Sequence, residues 1–441
     1  MIRPAAPPPE ERGGRTVKTD LFALRGTICS SGEDRRLRVW EDAFLVCEDG
    51  HCAGVFEVLP ERFQGVLVED CRGKLILPGL VDLHVHAPQH PFRGLGMDEE
   101  LIAWLNRRAF PEERKYQNLD YARRAYEIFV EDLVRSPTTR ACIFATIHTP
   151  ATLLLMELLE ASGLSALVGK VNMDRNAPVY LLEGEVGEAV AQTRLWLEKS
   201  AQFEHIRPIL TPRFVPSVSD ALMAELGSLQ REYGLPVQSH LSENLSEIEW
   251  VQELSPESRF YGEAYQRFGL FGGEGCPTVM AHCVHSPPAE LERMAERGVF
   301  VAHCPASNTN LASGIAPVRR YLEAGVPVGL GTDVAGGHSL SLFRAVTDAV
   351  QCSKLRWRLT DQSLTPLSLE EAFWMATRGG GAFFGQVGSF EAGWSFDALV
   401  LDDAPERTTL MLTGRERLER ALYLAEGCRI VSKYVEGRKL F

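Results

Sequence analysis

The sequence predicts an α/β fold: a (β/α)8 barrel of the TIM type, with a small β-sandwich domain built from both chain ends. Eight apolar segments follow one another, LVDLHVH (80–86), RACIFATIH (140–148), ALVGKVNMD (166–174), IRPILTPRF (206–214), PVQSHL (236–241), TVMAHCV (278–284), VFVAHCP (299–305) and VPVGLGTD (326–333). Helical patterns such as LLLMELLEA and LMAELGSLQREY separate most of them, and strand alternating with helix eight times is the pattern of a closed parallel barrel. The segments also end in residues able to do chemistry, His84, His86, Arg213, His240, His282 and Asp333. That is where such barrels keep their active sites.

Around the barrel, expected over 79–385, the chain changes texture. Residues 1–16 are rich in Pro, Gly and charge and have little to bury, so they read as a disordered arm. Short β-like runs broken by turn residues fill 17–78, and strand character returns over 386–441 in FDALVLDD and CRIVSKYVEGRKLF, with a Glu436-Gly437 turn. These two stretches are expected to form one composite β domain. Between the first two barrel segments, MDEELIAWLNRRAFPEERKY carries Leu101, Ile102 and Leu105 at helical spacing with Trp104 and Phe110. It reads either as a cap over the barrel mouth or as a helix packed on its rim. Past the barrel strands, Ser368 and Glu371 form a capping box that opens a helix. The run GGGAFFG follows a helix rather than a strand, which makes it a helix stop and not a nucleotide loop.

A net charge of −13 argues against a nucleic-acid or anionic-membrane partner and leaves a small molecule as the expected one. The ten cysteines include no CxxC pair and suit a reducing compartment. No apolar stretch is long enough to span a membrane, and no signal core opens the chain. A soluble cytoplasmic protein is expected, with a homodimer as its assembly.

The chemistry begins at His84 and His86. Alternate strand residues share a face, so two imidazoles leave one strand end side by side, a spacing suited to a divalent metal. His240 and Asp333 would complete a mononuclear site, since no lysine ends the fourth segment to bridge a second ion. Glu243, three residues past His240, is a candidate proton shuttle; alone it would read as an acidic residue before a helix starting near Ser246. Asp333 could both touch the ion and accept a proton from water. His282 could donate to oxygen developing on the substrate. His148 and His303 are expected to be structural or supporting, and His51, His90, His205 and His285 to be solvated.

HVHAPQ, TPRF, SHLSEN, AHCV, AHCPASN and GLGTDVAGG, in this order, resemble the guanine deaminases of the amidohydrolase superfamily. The likeness runs from about residue 20 to the end and includes LIAWLNRRAFPEE and GSFEAGWSFDALVLD. It implies hydrolysis of guanine to xanthine and ammonia on one zinc ion held by His84, His86, His240 and Asp333, with iron as an alternative metal. It further implies that Gln89, Arg213, Phe214, His240 and Glu243 contact the base and that Glu243, Asp333 and His282 act on it. A flat ring with a carbonyl and ring nitrogens does need a π face, a positive donor and an amide. His338 stands where the family tends to an aromatic, so a rim contact is expected to differ. Competing readings are an amidohydrolase acting on another aminopurine, a pterin or a triazine, and a scaffold relative. The HxE and PCxxC signature of the other zinc deaminases is absent.

Overall fold

The structure is a computed structural model that describes residues 21–441; the arm expected at 1–16 lies outside the described residues. Eight parallel strands form the barrel, Leu80–His86, Thr138–Phe144, Ser165–Gly169, Ile206–Pro208, Val237–Leu241, Thr278–His282, Phe300–His303 and Val328–Leu330. Each pairs with the next, the eighth pairs with the first through Leu330 and Asp82, and a bridge from Leu210 to Val237 joins the fourth to the fifth. Every residue of the first two strands is buried. That explains why they read as continuous apolar runs rather than as alternating ones.

Helices cover the outside, among them Thr149–Ser162, Val186–Ser200, Asp220–Tyr233 and Pro288–Arg297. The helix Asp220–Tyr233 starts on Ser219, whose hydroxyl accepts from Leu222 N–H, and stops on Gly234 at φ 63°. A left-handed stop of this kind costs glycine least. The capping box of Ser368 and Glu371 is present at helix Leu369–Trp374. The following glycines end the helical stretch, as the sequence suggested.

Strands from both chain ends form one seven-stranded sheet, ordered Arg438–Lys439, Arg429–Val435, Ala398–Asp402, Leu67–Pro78, Leu21–Ser31, Leu37–Glu48 and His51–Phe56. The pairing of Leu21–Ser31 with Leu67–Pro78 is parallel, and the other neighbours are antiparallel. The seven strands are hydrogen-bonded in one continuous order. Leu24, Ile28, Leu45, Ile76, Phe396 and Tyr434 cluster on it, while helix Gly414–Tyr423 packs on its strands. The Glu436-Gly437 turn is there.

Two buried basic side chains join this sheet to the barrel. Arg140, on the second barrel strand, donates to both carboxyl oxygens of Asp397 at 2.7 and 3.2 Å and to Ser165 and Ser395. Lys433 sends Nζ to the carbonyls of Leu133, Val134 and Ser136 at 3.2, 2.9 and 3.0 Å. It thereby fills the C-terminal end of helix Leu119–Arg135, where the dipole favours a cation.

Candidate active site

At the C-terminal ends of the strands, His84, His86 and His240 bring ring nitrogens within 4.8 Å of one another, and ring nitrogens of His84 and His282 lie within the same distance of each other and of an Asp333 carboxylate oxygen. Asp333 Oδ1 lies 3.2 Å from His84 Nε2 and 3.5 Å from His86 Nε2. His240 donates Nδ1–H to the Arg213 carbonyl at 2.6 Å, which leaves its Nε2 with a lone pair facing His86 Nε2 at 3.2 Å. Burial pushes the pKa of His86 and of His240 well down, and each is lowered further by the neighbouring His84. His84 Nε2 is buried without a hydrogen-bond partner. Neutral imidazoles converging on one another, with an orphaned nitrogen and a carboxylate beside them, fit a divalent cation.

The backbone holds this arrangement at a cost. His282 and Asp333 adopt φ of 74° and 45°, as do Ser242 at 48° and Cys283 at 49°, conformations that non-glycine residues seldom take. Beneath the cluster Asp82 accepts from Thr332 N–H at 3.0 Å, Thr332 Oγ1 at 2.5 Å and His84 N–H at 3.2 Å. It thus latches the first strand to the loop after the eighth, and burial raises its pKa to about 7. Gly331 lets these strands approach, because an added Cβ would stand 2.7 Å from Cys304 Sγ and 2.9 Å from His84 Cβ.

A cavity opens above, lined by His86, His240, His282 and Asp333 on its floor and by Gln89, Arg213, Phe214, Glu243 and Glu247 around it. Leu101, Trp104, Leu105 and Leu311 supply the apolar wall. Of the two readings of the LIAWLNRRAF stretch, the cap is the one observed, in two short helices, Leu101–Trp104 and Phe110–Glu113, joined by a wide π-helical turn. Glu243 follows the fifth strand in the loop before helix Leu245–Leu254 and faces inward. Its Oε1 accepts from Ser313 at 3.1 Å, its Oε2 lies 3.5 Å from His282 Nε2, and burial raises its pKa to about 7. His282 Nδ1 meets Asn308 Oδ1 at 2.8 Å. Burial disfavours charge on His282, but the carboxyls of Glu243 and Asp333 outweigh it and raise the pKa.

The structure therefore brings together every residue singled out in the sequence, His84 lying just below the cavity floor. Two more belong to the same place. Glu113 accepts from Arg213 and Gln89. Glu247 accepts from the backbone N–H of Glu243 and of Asn244 at 3.2 and 3.3 Å and from Tyr261 Oη at 2.8 Å, fixing the loop that carries Glu243. In the sequence Glu247 shows only as the third residue after a capping Asn244. Glu113 has no local signal beyond lying in the LIAWLNRRAFPEE stretch.

Other histidines correct the sequence reading. His90 is buried against Phe129, with Nε2 3.2 Å from Asp132, and is not solvated. His205 and His285 are half-buried, on Glu436 and the Ser313 carbonyl respectively. Only His51 of that group is exposed. His148 and His303 lie outside the converging groups. His338 is exposed, beside Asn310, and does not line the cavity.

A parallel barrel with histidines and an aspartate gathered at its mouth is the architecture of metal-dependent hydrolases, and the chain belongs to the Amidohydrolase family, which it matches over residues 75–439. Within that family it is similar to guanine deaminases. It is 36% identical to the Dictyostelium discoideum guanine deaminase across 95% of this chain and 97% of that one. The Escherichia coli guanine deaminase is 34% identical, with 92% of each chain covered. A crystal structure of the guanine deaminase from C. acetobutylicum with bound guanine superposes with a TM-score of 0.91 at 45% identity, covering 96% of this chain and all of that one.

Proposed function

We propose that this protein hydrolyses guanine to xanthine and ammonia with one zinc ion, iron being the alternative metal. The observation that carries the reading is one cavity with a metal-ligand floor and a wall of Arg213, Gln89 and Phe214 suited to an oxopurine. Similarity along the whole chain to guanine deaminases supports it.

His84, His86, His240 and Asp333 would hold the ion, and when bound it supplies the polarisation that lowers the pKa of water from 15.7 to about 7. The remaining chemistry belongs to side chains. Arg213 and Gln89 address the polar edge of the ring, and Phe214, 6.2 Å from Trp250, offers an aromatic surface. Asp333 points Oδ1 at the histidine cluster and holds Oδ2 3.7 Å from His282, free to take one proton of the attacking water. As the C2–O bond forms, the C2–N3 double bond opens and Glu243 protonates N3. On collapse the C2–amine bond breaks, the hydroxyl returns a proton to Glu243, and the amine leaves as ammonia with the proton that Asp333 took. A glutamate whose pKa is raised to about 7 by burial can carry the proton that this sequence starts from. His282, its ring fixed by Asn308, donates to the oxygen developing on C2.

The same reading divides the chain into a catalytic barrel over 79–385 and a composite β unit, and it includes a cytoplasmic homodimer. Ten cysteines with no CxxC pair among them suit a reducing compartment, and among the described residues no helix is long and apolar enough to cross a membrane. Light scattering tests the assembly. The activity is tested on purified protein by measuring metal content together with the absorbance change from guanine to xanthine. Zinc near one per chain with rapid xanthine formation is the expected result. Faster ammonia release from another aminopurine, a pterin or a triazine would overturn it.

A further inference from the structure

The Glu113 side chain is 4% exposed, and both of its oxygens are engaged by the side chains assigned above to the base. Oε1 accepts from Gln89 Nε2 at 2.9 Å and from Arg213 Nη2 at 3.0 Å, and Oε2 accepts from Arg213 Nη1 at 2.5 Å. This forked pair compensates the guanidinium charge inside the cavity wall. Phe110 adds its ring 5.2 Å from the same guanidinium. Gln89 is held from its other end as well, because Ala335 N–H donates to its Oε1 at 3.2 Å. An amide with a carboxylate at its nitrogen and an N–H at its oxygen has one orientation, so its remaining hydrogen and lone pair stand in known places.

We infer that Glu113 is the positioning residue of the base-recognition wall, locking the Gln89 amide in one orientation and cancelling the Arg213 charge so that a neutral oxopurine is favoured over an anionic one. The inference rests on the function proposed above. Its consequence concerns the product: xanthine, with an N–H flanked by two carbonyls, is a stronger acid than guanine. A wall with an uncompensated arginine would retain the xanthine anion, whereas a neutral wall lets it go.

The test uses the metal-loaded full chain as Glu113→Gln, Glu113→Asp and the double variant Glu113→Gln with Arg213→Gln. Guanine kinetics are measured together with inhibition by xanthine and by hypoxanthine at one mildly alkaline pH, where the first is chiefly an anion and the second chiefly neutral. Glu113→Gln is expected to raise KM roughly 10- to 100-fold, the scale of a misplaced binding group. It should lower kcat less and strengthen xanthine inhibition relative to hypoxanthine about tenfold. Glu113→Asp should recover part of the KM, and the double variant should lose the anion preference while keeping the high KM. An unchanged KM and inhibition ratio in Glu113→Gln overturns the inference. If that variant does not fold, a wild-type ratio in the aspartate variant together with an anion preference in the double variant does the same. Should Gln89→Ala and Arg213→Gln alone leave KM unaltered, the assignment of the base-binding residues fails first, and that failure is separable from this one.

Discussion

Where the composite sheet meets the barrel, Arg140 has an aspartate, two hydroxyls and Glu436 around it, and Lys433 has three carbonyls. At the barrel mouth, under similar burial, His84 Nε2 makes no hydrogen bond and has only the Asp333 carboxylate 3.2 Å away, His86 and His240 turn nitrogens toward each other, and four residues hold left-handed backbone angles. Buried charges that serve only the fold are satisfied by the fold. Those at the mouth are left for the proposed metal and substrate to complete, and the strained backbone angles gather at the same place.

The contrast is broken or sharpened by separating rate from stability. Replacing Asp333 with Asn should remove the bound metal and lower kcat/KM at least about 10³-fold, part of the roughly 10⁶-fold or more that enzymes supply. The melting temperature of the metal-free chain should not fall; a drop there, read by calorimetry, would mean the mouth is stabilising after all. Glu243→Gln should keep the metal, as elemental analysis would show, yet slow turnover roughly 10²- to 10⁴-fold. Near-normal turnover would remove Glu243 from the proton path.

At the joint the expectation reverses. Asp397→Asn leaves the buried Arg140 with the partly exposed Glu436 as its remaining charged partner and should cost about 3 kcal/mol in denaturant unfolding, with kcat per folded molecule unchanged. Burial alone would raise the Asp397 pKa, but Arg140 outweighs it and holds the carboxyl below the ordinary range. A depressed folded-state pKa contributes stability that is present above the unfolded value of about 4 and is lost as pH falls through the folded one. The wild type should therefore weaken on acidification below about pH 4 along a limb that the Asn variant lacks. The smallest effect is expected from Gly331→Ala, whose Cβ presses on His84 and Cys304. Overpacking of about 1–3 kcal/mol and a roughly 10-fold or greater loss of metal affinity should appear together, checked by melting and by chelator competition.

The eight strands were legible because each is a short apolar run ending in a residue that would be out of place in a core. His84 with His86, and Asp333 after GLGT, could be read for the same reason: local spacing alone put them on one face or at one end. Glu113 could not be read this way. It reaches Arg213 across a hundred positions, and FPEE looks like any amphipathic turn until the cap is folded over the mouth. His90 failed in the opposite sense. Its loop-like surroundings suggested solvent, but Asp132 and Phe129 from helix Leu119–Arg135 enclose it. Alternating strands give no count of sheets, and pairing across the two chain ends joins all seven strands by hydrogen bonds.

That pairing has a consequence for the protein's birth. Strand Leu67–Pro78 meets Ala398–Asp402 along one side, with Pro78 opposite Ala398. A ribosome must make the entire barrel before this neighbour exists, so Leu75, Ile76 and Leu77 spend most of translation beside an unfilled margin. Until then such a nascent chain is exposed to mispairing with other copies, and the native sheet cannot close before Ala398–Asp402 has been made.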